Sequence, residues 1–315
     1  MRTLKIATAQ FQPSDGDKTY NLGVIEKLTL QAKAQGAEVI SFHELSVTAY
    51  TFLKDLDEEQ IRALAEPVPN GESTQELIRL AKKYDIAILA GLVEQKDGKI
   101  YNTYIAVDST GLLARYSKLH PFISKYLSAG EEYVVFDLKG WKCGILICYD
   151  NNVIENVRAT ALLGAEVIFA PHVTMCTPSS MPGRGFVDDN LWQQRETDPA
   201  PLRMEFDGPK GMRWLMRWLP ARAFDNGVYY VFSNPIGYDG DQLKNGNSLI
   251  LDPYGEMMAE IKSFDDGFTM ATITDDKLTL AGGYRYRNAR RPELYSEILS
   301  QKHHAVTKPV WLEGK

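Results

Sequence analysis

The sequence predicts an α/β domain built from two sheets that are covered by helices on their outer faces. Apolar runs of strand length alternate with segments of helical periodicity, which is the pattern of α/β proteins. Strand-like runs between residues 86 and 118 follow one another through tight turns and add antiparallel hairpins. No fixed-period repeat and no low-complexity linker divides the 315 residues, so we expect a single domain.

The amino-terminal region predicts a strand–helix–strand unit. Residues 4–11 and 37–42 are apolar runs of strand length, and residues 18–35 between them carry apolar side chains at helical spacing. A second helix is predicted over 73–84, where Ser73 stands three residues before Glu76 as in a capping box.

The remaining elements continue this alternation. Strand-like runs follow at 86–94, 100–108, 112–118, 133–138, 142–148, 165–171, 228–234, 247–253 and 268–274, with a helix at about 153–163. The pair Asp97-Gly98 predicts a hairpin turn between the first two of these strands.

Residues 173–219 break the pattern. Five prolines precede Met212 in this stretch and argue against regular elements there. A connection of this length is more often a functional loop or lid than filler. We therefore expect a loop insertion here, and a C-terminal tail over residues 284–315.

Composition limits the classes of function. A net charge of −6 with scattered Lys and Arg offers no basic face, which argues against nucleic-acid binding and against a polybasic membrane contact. Cys143, Cys148 and Cys176 are odd in number and lack metal-ligand spacing, which favours a reducing compartment without disulfides or zinc. Since an export signal and a membrane-length apolar run are also lacking, we expect a cytoplasmic protein.

Cys148 is the first candidate for chemistry. It ends the run CGILIC, and Asn152 and Glu155 are spaced as a capping pair for the helix that follows. The sulfur would then lie beside the first turn of a helix, where the positive dipole end favours a thiolate. A lone free cysteine is more often a small buried hydrophobe, and Cys143 fits that interpretation. Cys176, at the start of the irregular stretch, stays open.

Glu44 and Lys118 occupy equivalent places, because each follows directly on a strand-like run. Ligands of α/β sheets bind outside the carboxyl ends of strands, so these side chains and Cys148 can converge on one pocket. Either residue alone is more often a solvated surface group. Together the three supply a nucleophile, a base and a cation, which is a complete set for acyl chemistry.

The segments around these residues resemble the three signature segments of the nitrilase, or carbon-nitrogen hydrolase, superfamily. They are FHELSVTAY around Glu44, YSKLHPF around Lys118 and GILICYDNNVIENVR around Cys148. The segments ATAQFQP, ARAFDNGVYYVFSN, GNSLILDPYGE and RRPELY are similar to its supporting segments, so the resemblance spans most of the chain.

The resemblance implies a four-layer αββα sandwich of two mixed sheets, in a homodimer or higher homo-oligomer that uses no cofactor or metal. It also implies hydrolysis of a non-peptide C–N bond through a Cys thioester with release of ammonia. Glu44 would be the general base, Lys118 the stabilising cation and Cys148 the nucleophile. The backbone N–H of Tyr149 would help to hold the oxyanion.

Tyr149 and Asp150 discriminate within the superfamily. The nitrile-cleaving branch commonly has Trp-Glu after its cysteine, whereas Tyr-Asp follows the cysteine in the amidase and carbamylase branches. The resemblance therefore favours a small carboxamide or an N-carbamoyl (ureido) compound as substrate.

The chain also departs from the family pattern. Asn152 and Ile154 replace the usual Arg and Pro after the cysteine, and Ile123 stands where relatives often have a second glutamate. Glu131 or Glu132 could supply that carboxylate, although a solvated loop position is the commoner arrangement for such residues.

The connection over roughly 178–212 is longer than in relatives and is a candidate cap for the pocket. Its arginines Arg184, Arg195 and Arg203 are candidates to pair with a substrate carboxylate, although each is more typical of a surface. His172 is a further candidate binding residue. A histidine beside a strand end, as His120 and His172 are, is more often scaffold than catalyst.

Other functions stay open at this stage. The same residues could perform nitrile hydrolysis, or acyl transfer if an acceptor other than water meets the thioester. Ile123 and the altered residues after Asp150 would also suit a catalytically silent binding or assembly protein on the same scaffold.

Overall fold

The computed structural model describes residues 1–177 and 184–301 of the chain. Its strands, numbered in chain order, are β1 (Thr3–Gln10), β2 (Val39–Ser41), β3 (Ala87–Lys96), β4 (Lys99–Asp108), β5 (Gly111–Ser117), β6 (Val135–Leu138), β7 (Trp141–Ile145), β8 (Val167–Pro171), β9 (Tyr229–Ser233), β10 (Ile236–Asp239), β11 (Gln242–Asn245), β12 (Leu249–Leu251), β13 (Met257–Glu260) and β14 (Gly267–Thr274). The strands predicted from the sequence are all present, with ends that differ by a few residues.

The helices lie between these strands. They are α1 (Lys18–Ala34), α2 (Glu58–Leu64), α3 (Glu72–Tyr84), α4 (Ile154–Leu162), α5 (Asp189–Gln193), α6 (Pro199–Asp207), α7 (Met212–Leu215), α8 (Leu219–Asn226), α9 (Asp276–Leu280), α10 (Gly282–Asn288) and α11 (Ser296–Ser300). Short 3₁₀ helices cover Thr51–Asp55, Cys148–Asn151 and Pro292–Leu294. The helices of the described residues are all too short or too polar to cross a lipid bilayer.

Within the described residues, the strands form two mixed sheets of six strands each. The first has the order β14-β1-β2-β3-β4-β5 and the second the order β13-β12-β9-β8-β7-β6. In each sheet three neighbouring strands are parallel, namely β1, β2 and β3 in the first and β7, β8 and β9 in the second. The other pairings are antiparallel, and β10 and β11 form a separate hairpin.

The two sheets pack face to face through one hydrophobic cluster. Ile6 and Leu89 of the first sheet share it with Ile145 and Phe169 of the second, and all four are fully buried. Polar side chains join the sheets where strands end, since Ser41 Oγ lies 2.8 Å from Ser233 Oγ. This contact brings the carboxyl ends of β2 and β9 together, which sets the place of the candidate site.

Helices cover both outer faces and complete the four-layer αββα sandwich expected from the sequence. Leu28 of α1 and Leu77 of α3 pack with Ile40 and Ile88 on the far side of the first sheet. On the second sheet α4 lies directly over β7. A side chain at Gly144 would overlap a methyl group of that helix, so only glycine permits this approach.

The predicted helix over 73–84 is confirmed, but its capping box is wrong. The helix begins at Glu72 after Gly71, which has no side chain to cap it. Ser73 instead donates from both its backbone N–H and its Oγ to the Glu66 carboxylate, at 2.8 Å each. A tertiary partner has therefore taken the hydroxyl that the local pattern assigned to capping.

The stretch 173–219 contains regular structure, contrary to the expectation from its prolines. It forms the short helices α5, α6 and α7. Pro199 occupies the first turn of α6, where the missing N–H would have no intrahelical acceptor in any case. Residues 178–183 of this stretch, and residues 302–315 of the predicted tail, lie outside the described residues.

Candidate active site

The strand directions explain why Glu44 and Lys118 meet. Glu44 comes three residues after β2, Cys148 three residues after β7, and Lys118 directly after β5. Strand β5 is related to β3 by two antiparallel pairings, so it runs in the same direction as β2. The side chains that follow β2 and β5 therefore leave the first sheet at one edge.

Cys148 begins a turn of 3₁₀ helix with a left-handed backbone. Its φ is 47°, a region that L-residues other than Gly, Asn and Asp seldom occupy. Such a conformation is typical of functional sites, where the surrounding fold enforces it. The thiol lies 4.0 Å from the Val173 carbonyl oxygen. The predicted capping pair Asn152 and Glu155 is wrong, because α4 begins after Val153 without a side-chain cap.

Glu44 and Lys118 form a buried ion pair. Lys118 Nζ lies 2.6 Å from Glu44 Oε1, and neither side chain is exposed. Asn102 donates to the same oxygen at 2.6 Å. Glu44 Oε2, in contrast, has no hydrogen-bond partner among the described residues. One carboxylate oxygen is thus fixed by two donors, and the other is available to accept a proton.

Aromatic rings enclose the ammonium group of Lys118. Its Nζ lies 5.2 Å from the ring centre of Tyr50 and 5.0 Å from that of Phe122, within the range of cation–π contacts. Burial acts most strongly and lowers the pKa of Lys118, but the surrounding acidic groups, with the Glu44 carboxylate first, together outweigh it and hold the pKa above its usual value. Lys118 therefore stays a cation in a site that water barely reaches.

The expectation of a thiolate at Cys148 is wrong for this structure. Burial and then the nearby Glu44 carboxylate raise the pKa of the thiol to about 12, although Lys118 opposes them. The loss of hydration thus outweighs the adjacent cation and the helical turn. The thiol is protonated at rest and needs a base before it can attack, and Glu44 is close enough to affect its ionisation.

Asp150 ties the turn that carries Cys148 to the segment that carries Lys118. Its buried carboxylate accepts a hydrogen bond from Tyr116 Oη at 2.8 Å. The same carboxylate accepts the backbone N–H groups of Leu119 at 3.2 Å and His120 at 2.9 Å. The sequence analysis used Asp150 only to distinguish the branches of the superfamily. It did not predict that Asp150 links the segments that carry Cys148 and Lys118.

The amide of Tyr149 lies in the first turn of the 3₁₀ helix Cys148–Asn151. The first N–H groups of a helix have no intrahelical acceptor, so this amide is suited to hold negative charge near the sulfur. The Tyr149 ring packs edge-on against Phe122, at 5.6 Å between ring centres. That contact fixes the turn against the residues around Lys118.

Among the described residues, the surroundings of Ile123 are hydrophobic. Ile123 is buried in a hydrophobic cluster with Leu45, Tyr50 and Val173. Glu132 is exposed and lines a different cleft, together with Tyr101, Arg115 and Ser117. None of Glu44, Lys118 and Cys148 lines that cleft.

His172 is buried next to the site as a neutral ring. Burial lowers its pKa to about 3, and the charges of Lys118 and Arg184 act in the same direction. His172 Nδ1 lies 2.8 Å from the Ala170 carbonyl oxygen, so Nδ1 carries the proton. Nε2 is then an acceptor, and it has no partner among the described residues.

The structure separates the three candidate arginines. Arg184 lies beside the site, because its Nη2 is 3.3 Å from Thr174 Oγ1 and the Cys148 thiol acts on its charge. Arg195 is stacked on Trp192 at 4.2 Å and binds the carbonyl of that residue. Arg203 pairs with Asp207 at 3.5 Å in α6. Neither Arg195 nor Arg203 contacts the residues around Cys148.

Two other polar residues near the site were not predicted. Lys244 is buried and its Nζ lies 3.1 Å from Thr177 Oγ1. Tyr50 has a buried hydroxyl without a partner among the described residues, and burial raises its pKa well above the usual value. Cys176 is buried in the same region, with φ 48° and a pKa raised to about 12 by burial. Of Tyr50 and Lys244, only Tyr50 lies within a segment that the sequence analysis had singled out.

Comparison with known proteins identifies the family of this chain. The profile of the carbon-nitrogen hydrolase family matches residues 5–281. A nitrilase of Pyrococcus abyssi is 28% identical over 273 residues, which cover 86% of this chain and 89% of that protein. A 2-oxoglutaramate amidase of Bacillus subtilis is 31% identical over 262 residues, which cover 81% and 85% of the two chains.

The fold is also similar to solved structures. An amidase from Nesterenkonia sp. AN1, solved in complex with acrylamide, superposes with a TM-score of 0.69 at 22% sequence identity. The match covers 94% of this chain and 97% of that one. It supports the two mixed sheets and their covering helices as the architecture of this protein.

Proposed function

This chain belongs to the carbon-nitrogen hydrolase family, and we propose that it hydrolyses a small carboxamide or N-carbamoyl compound through a thioester on Cys148. It is an enzyme that acts on non-peptide C–N bonds, as its family and its amidase relatives indicate. The observation that carries the finer proposal is Glu44 Oε2, which has no hydrogen-bond partner among the described residues and lies in a buried cluster with Lys118 and the Cys148 thiol.

In the first step Glu44 takes the thiol proton while the sulfur attacks the carbonyl carbon. A C–S bond forms and the carbonyl π electrons move to the oxygen. The raised pKa of the Cys148 thiol requires this base. Because the carboxylate is already held by Lys118 and Asn102, little reorganisation is needed at the moment of transfer.

Lys118 and the Tyr149 amide stabilise the tetrahedral oxyanion. Lys118 keeps its charge because the surrounding acidic groups, with the Glu44 carboxylate first, hold its pKa above the usual value. A preorganised donor of this kind typically contributes about 3 to 4 kcal/mol to transition-state stabilisation. The buried setting strengthens both interactions, since bulk water does not screen them.

Collapse of the intermediate breaks the C–N bond. Glu44 returns its proton to the departing nitrogen, so a primary amide releases ammonia and leaves a thioester on Cys148. Water then attacks the thioester carbonyl, and Glu44 accepts one of its protons. When the second intermediate collapses, the thiolate leaves, regains the proton from Glu44 and frees the carboxylic acid.

Ammonia release from a panel of carboxamides, ureido acids and nitriles tests the reaction class, with Cys148→Ala as the blank. Hydroxylamine tests the intermediate, because it attacks a thioester and yields a hydroxamate in place of the acid. We expect ammonia and hydroxamate from amides with the unaltered protein and neither from Cys148→Ala. Turnover that persists in Cys148→Ala would remove the thiol mechanism.

A further inference from the structure

Lys244, which is buried, and Arg184, which is half-buried, lie beside the candidate site without an acidic partner among the described residues. Among the described residues, no carboxylate lies within 4.0 Å of Arg184 or Lys244. Arg184 Nε is buried and makes no hydrogen bond to a described residue. Buried Lys and Arg are almost always paired in folded proteins, so this arrangement needs an explanation.

Arg184 and Lys244 are both hydrogen-bonded to the segment that follows β8. The same segment contacts the sulfur of Cys148. The Val173 carbonyl lies 4.0 Å from Cys148 Sγ. The next residue, Thr174, accepts from Arg184, and Thr177 binds Lys244.

Asn234 fixes the start of this segment. It accepts the Thr174 N–H at 2.9 Å and donates to the Thr174 carbonyl at 3.3 Å. The cations therefore have a defined position relative to the thiol and are not loose surface charges.

The surroundings of the two cations do not neutralise them. Burial lowers the pKa of Lys244 to about 8, and Arg184 contributes to the same shift by repulsion. Asp239 is the carboxylate that acts on Lys244, and it raises the pKa of that lysine. Asp239 already accepts the backbone N–H groups of Tyr50 and Thr51, at 3.2 and 2.5 Å.

The orientation of Arg184 selects the chemistry of a ligand. Its guanidinium lies over the ring of Trp214 at 4.6 Å, so one face is covered. The unpaired Nε lies on the edge of the group. A planar carboxylate binds such an edge through two parallel hydrogen bonds, whereas neutral groups gain less there.

We propose that Arg184 and Lys244 form a carboxylate subsite and that the substrate is an amide bearing a second, negatively charged end. This rests on the proposed function, since the amide carbonyl is taken to lie at Cys148. Compounds with a terminal amine would meet two cations at this place and bind poorly. Arg184, which lies in the long connection, thereby makes the enzyme select a negatively charged substrate.

Matched substrates test the subsite without altering the protein. Succinamate and 4-oxopentanamide each carry one primary amide and have the same chain length, but a methyl ketone replaces the carboxylate in the second. We expect kcat/KM to be roughly 30-fold or more higher for succinamate, and 4-aminobutanamide to be the poorest of the three. Equal or better use of 4-oxopentanamide would overturn the proposal.

Variants then assign the preference to Arg184. Arg184→Gln should reduce the succinamate to 4-oxopentanamide ratio at least roughly 10-fold, mainly through KM, and Arg184→Lys should retain part of it. Arg195→Gln is the matched control, because Arg195 lies in the same connection and also stacks on a tryptophan. An unchanged ratio in Arg184→Gln would refute the assignment.

A binding measurement separates this proposal from the proposed function. Succinate binding to Cys148→Ala, measured by calorimetry, needs no turnover. We expect binding that Arg184→Gln weakens at least roughly 10-fold in that background and that Arg195→Gln leaves intact. Absence of succinate binding would contradict the subsite even if amides are hydrolysed. Binding without ammonia release from any amide would instead contradict the proposed function alone.

Discussion

Lys118 Nζ and Glu44 Oε1 lie 2.6 Å apart, and neither side chain is exposed to solvent. A buried ion pair of this kind is costly to assemble and gives weak evidence for stability. Its value here is chemical, because Lys118 and Asn102 hold one oxygen of the Glu44 carboxylate while the other oxygen has no hydrogen-bond partner among the described residues. The pair brings a carboxylate and an ammonium group close enough to the Cys148 thiol to act on its pKa.

Glu44→Gln should abolish most of the turnover while the fold is retained. The amide cannot accept the thiol proton, and the pKa of Cys148 is raised to about 12 by burial and by Glu44. Loss of a general base typically costs about 100-fold or more in rate. Steady-state ammonia release measures it, with Glu76→Gln, which alters a surface pair with Arg79, as the control. A Glu44→Gln enzyme within a few-fold of the unaltered rate would exclude Glu44 as the base.

Gly91→Ala should disturb the position of Glu44. A Cβ at Gly91 would overlap the backbone nitrogen of Leu45 and lie 3.2 Å from the Glu44 carbonyl carbon. Overpacking against backbone costs about 1 to 3 kcal/mol, so both the unfolding free energy and kcat should fall. Urea unfolding and ammonia release measure the two effects.

Gly23→Ala provides the contrasting substitution in the same chain. Gly23 lies inside α1 with open space around it, so alanine there should be neutral or stabilising. If Gly91→Ala behaved like Gly23→Ala in both assays, the close approach of β3 to the Glu44 turn would be wrong.

Asp150→Asn should loosen the contact between the Cys148 turn and the Lys118 segment. The carboxylate accepts Tyr116 Oη and the N–H groups of Leu119 and His120, and the amide NH₂ of Asn cannot accept. A buried donor left unpaired costs about 1 to 3 kcal/mol, which thermal or urea unfolding would detect. Asp137→Asn is the control, since Asp137 pairs with Lys142 on the surface. Equal stability of the two variants would contradict the tying role.

The convergence of Glu44, Lys118 and Cys148 could be predicted because it depends on strand ends. Glu44, Lys118 and Cys148 each follow a strand in the sequence, and parallel strands bring such positions to one edge whatever the details of packing. The strands themselves were visible as apolar runs. The ionisation of Cys148 was not, because it is decided by burial, which no local pattern reports.

The other residues of the site depend on contacts far apart in the chain. Asn102 lies within β4, and only the pairing of β3 with β4 turns it towards Glu44. Arg184 lies in a proline-rich connection whose path no periodicity predicts. Ser73 is an example from the fold. Its local pattern predicts a helix cap, but its hydroxyl instead donates to Glu66, a residue outside the helix.

Lys244 should make the stability of the protein depend on pH in a defined direction. Burial lowers the pKa of Lys244 from 10.5 to about 8, and repulsion by Arg184 acts in the same direction. Asp239 and the thiols of Cys176 and Cys148 act in the opposite direction and raise the pKa. Between these two values the unfolded chain binds more protons than the folded protein, so stability rises with pH across the window.

Comparison with Lys244→Met isolates this contribution, because the other titrating groups are common to both proteins. The unfolding free energy of the unaltered protein minus that of Lys244→Met should increase by about 2 kcal/mol between about pH 7 and about pH 10. Urea unfolding at the two pH values measures this difference. Lys142→Met should show no such increase, since Lys142 is a surface residue paired with Asp137. If this difference in unfolding free energy for Lys244→Met did not change with pH, Lys244 would keep its ordinary pKa. Its positive charge would then be balanced by a negative group of the folded protein before any substrate binds.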